Sequence, residues 1–450
     1  MPRTRGTLWL ALLAALTSAT GCGSPPACEP GHNIVWIVVD TLRADHLGAY
    51  GYPRDTSPAI DAFARESQTF RNAYTPRPKT TPAMAGAFSG RAPSRYGVTD
   101  VAQTLPPELP LLTERLQNCG YATGAIVSNA VVDHRFGFDR GFDHFRKKHD
   151  RGGAVTDEAL AVLSEIETEP FFLWVHYVKP HVPYKPADDA RFMDDGLFAV
   201  EHVPFGDTYH ATFGSLPRVI EREGQTNPHF YVALYDSEIR DVDAEVGRLL
   251  DELRGRKLLD SSLVAIFSDH GESLGDQGYY FGHGKFPYDS TARVPLLLRV
   301  PGRSPARIDL PATLLDLPAT LLAAAGLPAL EETDGIDLLA AVDAGLTDRT
   351  IITESGFRKP QIQVRRRDAK LIYVQDEKDL EVLRGNPYEF YRTDADPGEV
   401  NDLAGRGDPA EAELRRELEA WLEVPRAPKR PKLEDDQRLK KQLRALGYAE

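Results

Sequence analysis

The sequence predicts an α/β protein: a large, mainly parallel sheet sandwiched by helices, followed by a smaller C-terminal α+β subdomain. Three observations predict it. Near-continuous apolar runs recur at Asn33–Val39, 121–129, 171–176, 262–268 and 294–300, as expected of strands buried on both faces. Helical patterns alternate with those runs up to about residue 330. From about Leu346 the texture changes to short alternating segments at 350–352, 361–364 and 370–374, which read as antiparallel strands.

At 450 residues the chain has room for a large core and two or three domains. Its 42% hydrophobic and 27% charged content fit a soluble globular protein. The formal net charge of −14 argues against a general nucleic-acid binder. A small anionic substrate stays compatible, because a metal or a few basic residues reverse the field locally.

Residues 1–21 read as a signal peptide. Arg3 and Arg5 form a basic start, Leu8 to Leu16 an apolar run, and Ala19-Thr20-Gly21 a small-residue exit. The apolar run is too short for a permanent membrane span. Cys22 follows directly and resembles the lipidated cysteine of a bacterial lipobox. That implies cleavage before Cys22, a lipid anchor in the membrane, residues 22–31 as a tether, and a place in the cell envelope. Ala19 is less usual there than leucine, so simple secretion is the alternative. Cys28 and Cys119 either pair in an oxidising compartment or stay as thiols.

In chain order, the first strand ends in Asp40, where a parallel sheet places its ligands; the carboxylate either faces a ligand or caps the turn through Thr41, Leu42 and Arg43. Residues 59–67 read as a short helix. Residues 79–91 read as a loop turning into a helix, with Pro82 at the first helical position and Thr80 or Thr81 as cap. A hydroxyl there meets the positive end of the helix dipole. His181 lies between Pro180 and Pro183 in a rigid loop. Residues 185–228 show no period and read as an insertion over a site. Leu234 to Leu253 form an amphipathic helix with Ile239, Val242, Val246, Leu249 and Leu250 on one face. The run at 262–268 ends in Asp269 and His270, followed by Gly271 and Glu272. Two carboxylates, an imidazole and the Thr80 hydroxyl make a site for a divalent cation. Gly282-His283-Gly284-Lys285 precedes the strand at 294–300, and a helix is expected over 310–325. Residues 425–434, rich in Pro, Lys and Arg, read as a linker, and 439–446 as a final helix.

From residue 32 onward these stretches resemble the sulfatase family of the alkaline phosphatase superfamily. The residues that carry the resemblance are Val38-Val39-Asp40-Thr41-Leu42-Arg43-Ala44-Asp45, Thr80-x-Pro82 running to Ser89-Gly90-Arg91, Trp174-Val175-His176 with Pro180-His181-x-Pro183-Tyr184, and Ser268-Asp269-His270-Gly271-Glu272. Arg293-Val294-Pro295, Leu314 to Leu322 and Asp394-x-Asp396-Pro397-Gly398-Glu399 extend it. The resemblance implies an alkaline phosphatase-like catalytic domain over 32–345, an antiparallel subdomain over 346–424, and a linker with a terminal helix over 425–450. It implies Asp40, Asp269 and His270 as metal ligands and Thr80 as nucleophile and ligand. The cation would be calcium or manganese, with zinc compatible. His181, His283 and Lys285 fall where substrate oxygens are held or a leaving group is protonated, and Thr41 and Glu272 beside the ligands.

Two departures matter. The family's sulfatases carry a cysteine or serine, oxidised to formylglycine, where this chain has Thr80, and an arginine where it has Met84. The Gly-Lys-x-His strand end of the family is replaced by Ser128-Asn129. Threonine is not a substrate for that oxidation, whereas phosphodiesterases and phosphoglycerol or phosphoethanolamine transferases of the superfamily use threonine here. The expectation is therefore a hydrolase of phosphate or sulfate esters with phosphoester cleavage favoured. The alternatives are a transferase acting on envelope glycan or lipid and a non-catalytic binding protein on the same fold.

Overall fold

Among the described residues, eleven strands precede residue 314: β1 (Asn33–Val39), β2 (Gln68–Tyr74), β3 (Ala122–Val127), β4 (His144–Lys147), β5 (Phe171–Tyr177), β6 (Ser262–Phe267), β7 (Ser273–Leu274), β8 (Tyr280–Gly282), β9 (Arg293–Arg299), β10 (Ala306–Ile308) and β11 (Ala312–Thr313). They belong to a computed structural model that describes residues 28–29, 31–150, 152–167, 170–189, 191–193, 201–208, 211, 213–356, 359–375, 386–433 and 437–445. The expected signal peptide and Cys22 lie outside the described residues.

Among those residues one nine-stranded sheet runs in the order β10-β2-β9-β6-β1-β5-β3-β4, with β11 also pairing to β2. Its centre is parallel: β1 pairs with β5 and β6, and β3 with β5 and β4. β9 runs antiparallel to both β6 and β2. β7 and β8 form a separate hairpin.

Alternation in β1 explains the two faces. Ile34, Trp36 and Val38 pack with Met84 and Phe88 of the Thr80–Ser89 helix. Val35, Ile37 and Val39 face Ile239, Val242 and Val246 of the Pro228–Gly255 helix. That helix begins six residues earlier than its periodicity suggests: Pro228 sits in its first turn, and the Asn227 side chain accepts from the His229 N–H.

The helix expected over 310–325 is shorter. β11 and a turn capped by Thr313 and Asp316 come first, and the helix spans Leu317–Ala324. β2 carries no clean apolar run, since Arg71 and Asn72 interrupt it, so its pattern does not mark it as a strand.

The C-terminal strands β12 (Ile351–Ser355), β13 (Gln361–Arg365), β14 (Ala369–Val374) and β15 (Tyr388–Arg392) form an antiparallel sheet in that order. Leu414 and Leu418 of the Pro409–Glu423 helix cover Ile362, Val364, Leu371 and Phe390. This sheet is tied to the larger one at its first strand: the Glu354 N–H donates to the Pro76 carbonyl at 2.9 Å, and the Gly356 N–H to the Gly284 carbonyl at 3.2 Å.

The expected linker is strapped to the body. Ala427, Arg430 and Leu433 donate backbone hydrogen bonds to Ser94, Gly97 and Ala102. Gly97 has φ +80°, and a Cβ there would run into the Pro428 carbonyl oxygen. Cys28 and Cys119, left open by the sequence, form a disulfide that anchors the chain before β1 to the end of the Leu112–Asn118 helix.

Candidate active site

The Thr80–Ser89 helix starts differently from the sequence expectation. Thr80 is its first helical residue and Pro82 its third; the N-cap position belongs to Lys79, whose extended backbone has no side-chain cap. Proline is accommodated there because the first turn has no use for its missing N–H. Thr81 does not cap either. Its hydroxyl donates to the Val131 carbonyl at 2.8 Å and accepts from the Ala102 N–H at 3.3 Å, so it serves packing. Thr80 points elsewhere: its Oγ1 lies 3.2 Å from His270 Nε2, fully buried.

Asp40 follows β1, whose ladder continues through the Asp40 N–H to the Tyr177 carbonyl. Asp269 and His270 follow β6, the neighbour of β1. Each carboxylate has one oxygen tied down and one bare. Asp40 Oδ2 accepts from Asn129, and Asp269 Oδ1 accepts from the Thr41 and His270 N–H groups at 3.3 and 2.9 Å. Asp40 Oδ1 and Asp269 Oδ2 are buried with no hydrogen-bond partner among the described residues. His270 Nε2 lies 3.9 Å from the first and 3.5 Å from the second.

The His270 tautomer is set from behind. Nδ1 lies 2.9 Å from the Gly271 carbonyl, so Nδ1 carries the proton and Nε2 the lone pair. Burial holds the ring neutral, with its pKa pushed down to about 4. Burial, and then the nearby Asp269 charge, push Asp40 well above the usual carboxylate range. Two bare carboxylate oxygens and the His270 Nε2 lone pair, which Thr80 Oγ1 approaches, are a donor set suited to a divalent cation.

The turn that places these groups is strained. Thr41 has φ +55°, a left-handed backbone rare for a β-branched residue. It is held there from three sides. Its N–H donates to Asp269, its hydroxyl to the Asp40 carbonyl at 2.7 Å, and its own carbonyl accepts from the Tyr235 hydroxyl at 2.8 Å. Ser268 adds a fourth tie, accepting from the Leu42 N–H and donating to the His270 carbonyl. Arg43, next along, pairs with Asp45 and Asp276 and is structural.

A second layer sits beside the cluster. The His283 ring lies 4.2 Å from that of His270 and 5.2 Å from that of His181, centroid to centroid. His283 Nδ1 is 3.2 Å from Glu272 Oε1, and His181 Nδ1 is 2.8 Å from the Val182 carbonyl. Burial pushes both histidines down to about 4 and Glu272 up to about 7. Lys285 takes a different course: its ammonium lies over the rings of Phe213 and Phe286, at 5.4 and 5.2 Å. Lys79 pairs with Asp100 at 2.7 Å.

Two residues at the cluster have roles that the sequence alone does not reveal. Asn129 ends the β3 segment and holds Asp40. His176, the last but one residue of β5, has a donor nitrogen within 4.8 Å of carboxylate oxygens of Asp40 and Asp269. The available signal was a polar residue within, or just after, an otherwise apolar buried run.

A family model described as Sulfatase matches residues 32–327. The chain belongs to the sulfatase family. Members generally use a divalent metal, and the two bare carboxylate oxygens with His270 Nε2 fit one. Among related sulfatases, the human iduronate 2-sulfatase is 24% identical, the alignment covering 100% of this chain and 89% of that protein. The choline-sulfatase of Rhizobium meliloti is 26% identical over 83% of this chain and 82% of its own. The sulfatase fold extends to solved structures of low identity. BT4656, solved with its substrate D-glucosamine-2-N,6-O-disulfate, superposes with a TM-score of 0.73 at 19% identity, over 87% of this chain and 97% of that one. The phosphonate monoester hydrolase of Agrobacterium radiobacter gives 0.70 at 17% identity, over 87% and 95%.

Proposed function

We propose that this sulfatase-family hydrolase cleaves phosphate or sulfate esters, phosphoesters by preference, through a covalent intermediate on Thr80. The observation that supports it most is the 3.2 Å approach of Thr80 Oγ1 to His270 Nε2, beside the bare oxygens of Asp40 and Asp269. A bound divalent cation would lower the hydroxyl pKa and offset charge on the ester oxygens.

The residues then divide the work. Asp40, Asp269 and His270 would hold the cation, and the buried Thr80 hydroxyl is aimed by its place in the first helical turn. Its oxygen attacks phosphorus or sulfur in line; the new bond to Thr80 forms as the bond to the leaving alcohol breaks. Water then releases the phosphoryl or sulfuryl group. His181 and His283 are neutral near pH 7. With Nδ1–H directed at the Val182 carbonyl, His181 presents Nε2 as a proton acceptor for that water. His283, held by Glu272, would take the Thr80 hydroxyl proton as the oxygen attacks and pass it to the leaving oxygen.

Threonine carries no aldehyde chemistry, which is why phosphoesters are favoured. The test is a panel of matched aryl phosphate, phosphodiester, phosphonate and sulfate esters, each with manganese, zinc or calcium added. Phosphorus esters should turn over faster, and Thr80→Ala should abolish turnover. Sulfate hydrolysis that survives Thr80→Ala would refute the assignment.

A further inference from the structure

We infer that His176 is a fourth protein donor to the cation, which makes the centre one of two imidazoles and two carboxylates and gives it a preference for zinc over calcium. This rests on the reading that Asp40, Asp269 and His270 hold a divalent cation.

Register puts His176 in place. In the parallel pair β1–β5, Val38 stands opposite His176 and Val39 opposite Tyr177, and the Asp40 N–H donates to Tyr177. Phe172 and Trp174 lie on the sheet face that packs against the Thr80–Ser89 helix, and so do Trp36 and Val38. Two-residue periodicity therefore brings His176 and Asp40 out on that same face, with His176 one layer deeper.

Its surroundings leave the ring without an explanation. His176 is fully buried, and neither Nδ1 nor Nε2 has a hydrogen-bond partner among the described residues. A buried imidazole that serves only packing normally donates its N–H somewhere. The ring stands beside the cluster: donor atoms of Asp40, His176 and Asp269 all lie within 4.8 Å of one another. One cation shared by these donors would satisfy the buried ring and both carboxylates at once.

The consequence is selectivity. Calcium takes six to eight oxygens and gains little from imidazole, whereas zinc binds imidazole and carboxylate together and can expand to five ligands, which leaves the Thr80 oxygen or the ester access to it. The carboxylates alone suggest calcium or manganese; the second imidazole reverses that order.

The experiment strips the full-length protein with a chelator and measures zinc, cobalt and calcium affinity by competition with chromophoric chelators. It compares wild type, His176→Ala and His176→Gln, and records the visible spectrum of the cobalt form. Zinc and cobalt affinity should fall at least about tenfold in both variants, calcium affinity less than about threefold, and the cobalt spectrum should change. Zinc affinity within about threefold of wild type, with an unaltered cobalt spectrum, overturns the inference. X-ray absorption on the zinc-loaded wild type needs no variant: two imidazole scatterers are expected, and one would sink the proposal even if both variants misfold. A wild type that binds no divalent cation would instead remove the underlying reading of the site.

Discussion

Asn129 Nδ2 donates to Asp40 Oδ2 at 2.5 Å, a bond that joins the ends of two strands separated in the sheet by β5. The amide has one orientation open to it, because Asn129 Oδ1 accepts from the Val131 N–H at 3.0 Å. With Oδ2 occupied, Asp40 can offer only Oδ1 to the cluster. Asn129→Ala frees the carboxylate to rotate, and Asn129→Asp adds a repelling charge. Loss of such an orienting partner costs about 10- to 100-fold in metal affinity. Titration of the stripped protein should show at least the lower figure for Asn129→Ala and a larger loss for Asn129→Asp. Equal affinities in all three proteins would contradict the geometry.

Thr80 separates chemistry from metal binding. Thr80→Ala removes the attacking oxygen and should lower kcat by about a thousandfold or more, while the carboxylates and His270 keep cation affinity within about tenfold. Thr80→Ser keeps the hydroxyl and should retain measurable turnover. Acid-quenched reaction mixtures, analysed by peptide mass spectrometry, should show a phosphoryl adduct on the Thr80 peptide in wild type and Thr80→Ser alone. An adduct on Thr81 instead would move the nucleophile by one residue, against the bonds that the Thr81 hydroxyl makes to Val131 and Ala102.

Much of this was readable before the structure because strand ends announce themselves. Asp40 and Asp269 each follow a long apolar run, and a parallel sheet brings such ends to one edge. The antiparallel β9 was equally visible as a run but not its direction, since apolar character carries no sense of pairing. β2 stayed hidden because Arg71 and Asn72 break its pattern. The cap at Lys79 was missed for a different reason: Thr80 and Pro82 have strong local preferences, and tertiary contacts of Thr81 with Val131 and Ala102 override them. Nor could spacing reveal His176 as a neighbour of Asp40. Its place depends on the β1–β5 register, which no local feature encodes.

Glu238 supplies a pH test of the scaffold away from the cluster. It sits inside the Pro228–Gly255 helix, 1% exposed, with Oε1 accepting from the Lys185 N–H at 2.7 Å and Oε2 lacking a hydrogen-bond partner among the described residues. Burial pushes its pKa up to about 8, against the opposing pull of Lys179. The folded state therefore holds one more proton than the unfolded state between roughly pH 4.5 and 8. Stability should fall as pH rises through that window, because ionisation is easier once the chain unfolds. Glu238→Gln removes the dependence. It should be about 4 kcal/mol more stable than wild type at pH 8 and no more stable at pH 4. Denaturant melts at the two pH values decide; a variant less stable at both would show that Glu238 stays ionised in a favourable pair with Lys179.

Asp100 links the C-terminal strap to the residue that precedes Thr80. It accepts from Lys79 Nζ at 2.7 Å and pairs with Lys432 at 2.8 Å. Lys79 is nearly inaccessible, and burial pulls its pKa down to about 8 even with Asp100 beside it. A Cβ at Gly284, which has φ +82°, would collide with the Lys79 stem, so that stem lies directly against the Gly284 backbone. Removing one partner of a buried pair leaves an uncompensated charge and costs about 3–5 kcal/mol, less where one partner keeps some contact with water. Asp100 is that partner, with 22% of its side chain exposed. Asp100→Asn is therefore expected to cost about 2 kcal/mol and to loosen residues 426–433, seen as faster amide exchange at Ala427, Arg430 and Leu433. Adding Lys79→Met to Asp100→Asn should recover most of the stability while leaving that exchange fast, since Lys432 still lacks its partner. If the double variant is no more stable than Asp100→Asn alone, the buried ammonium is not what Asp100 compensates.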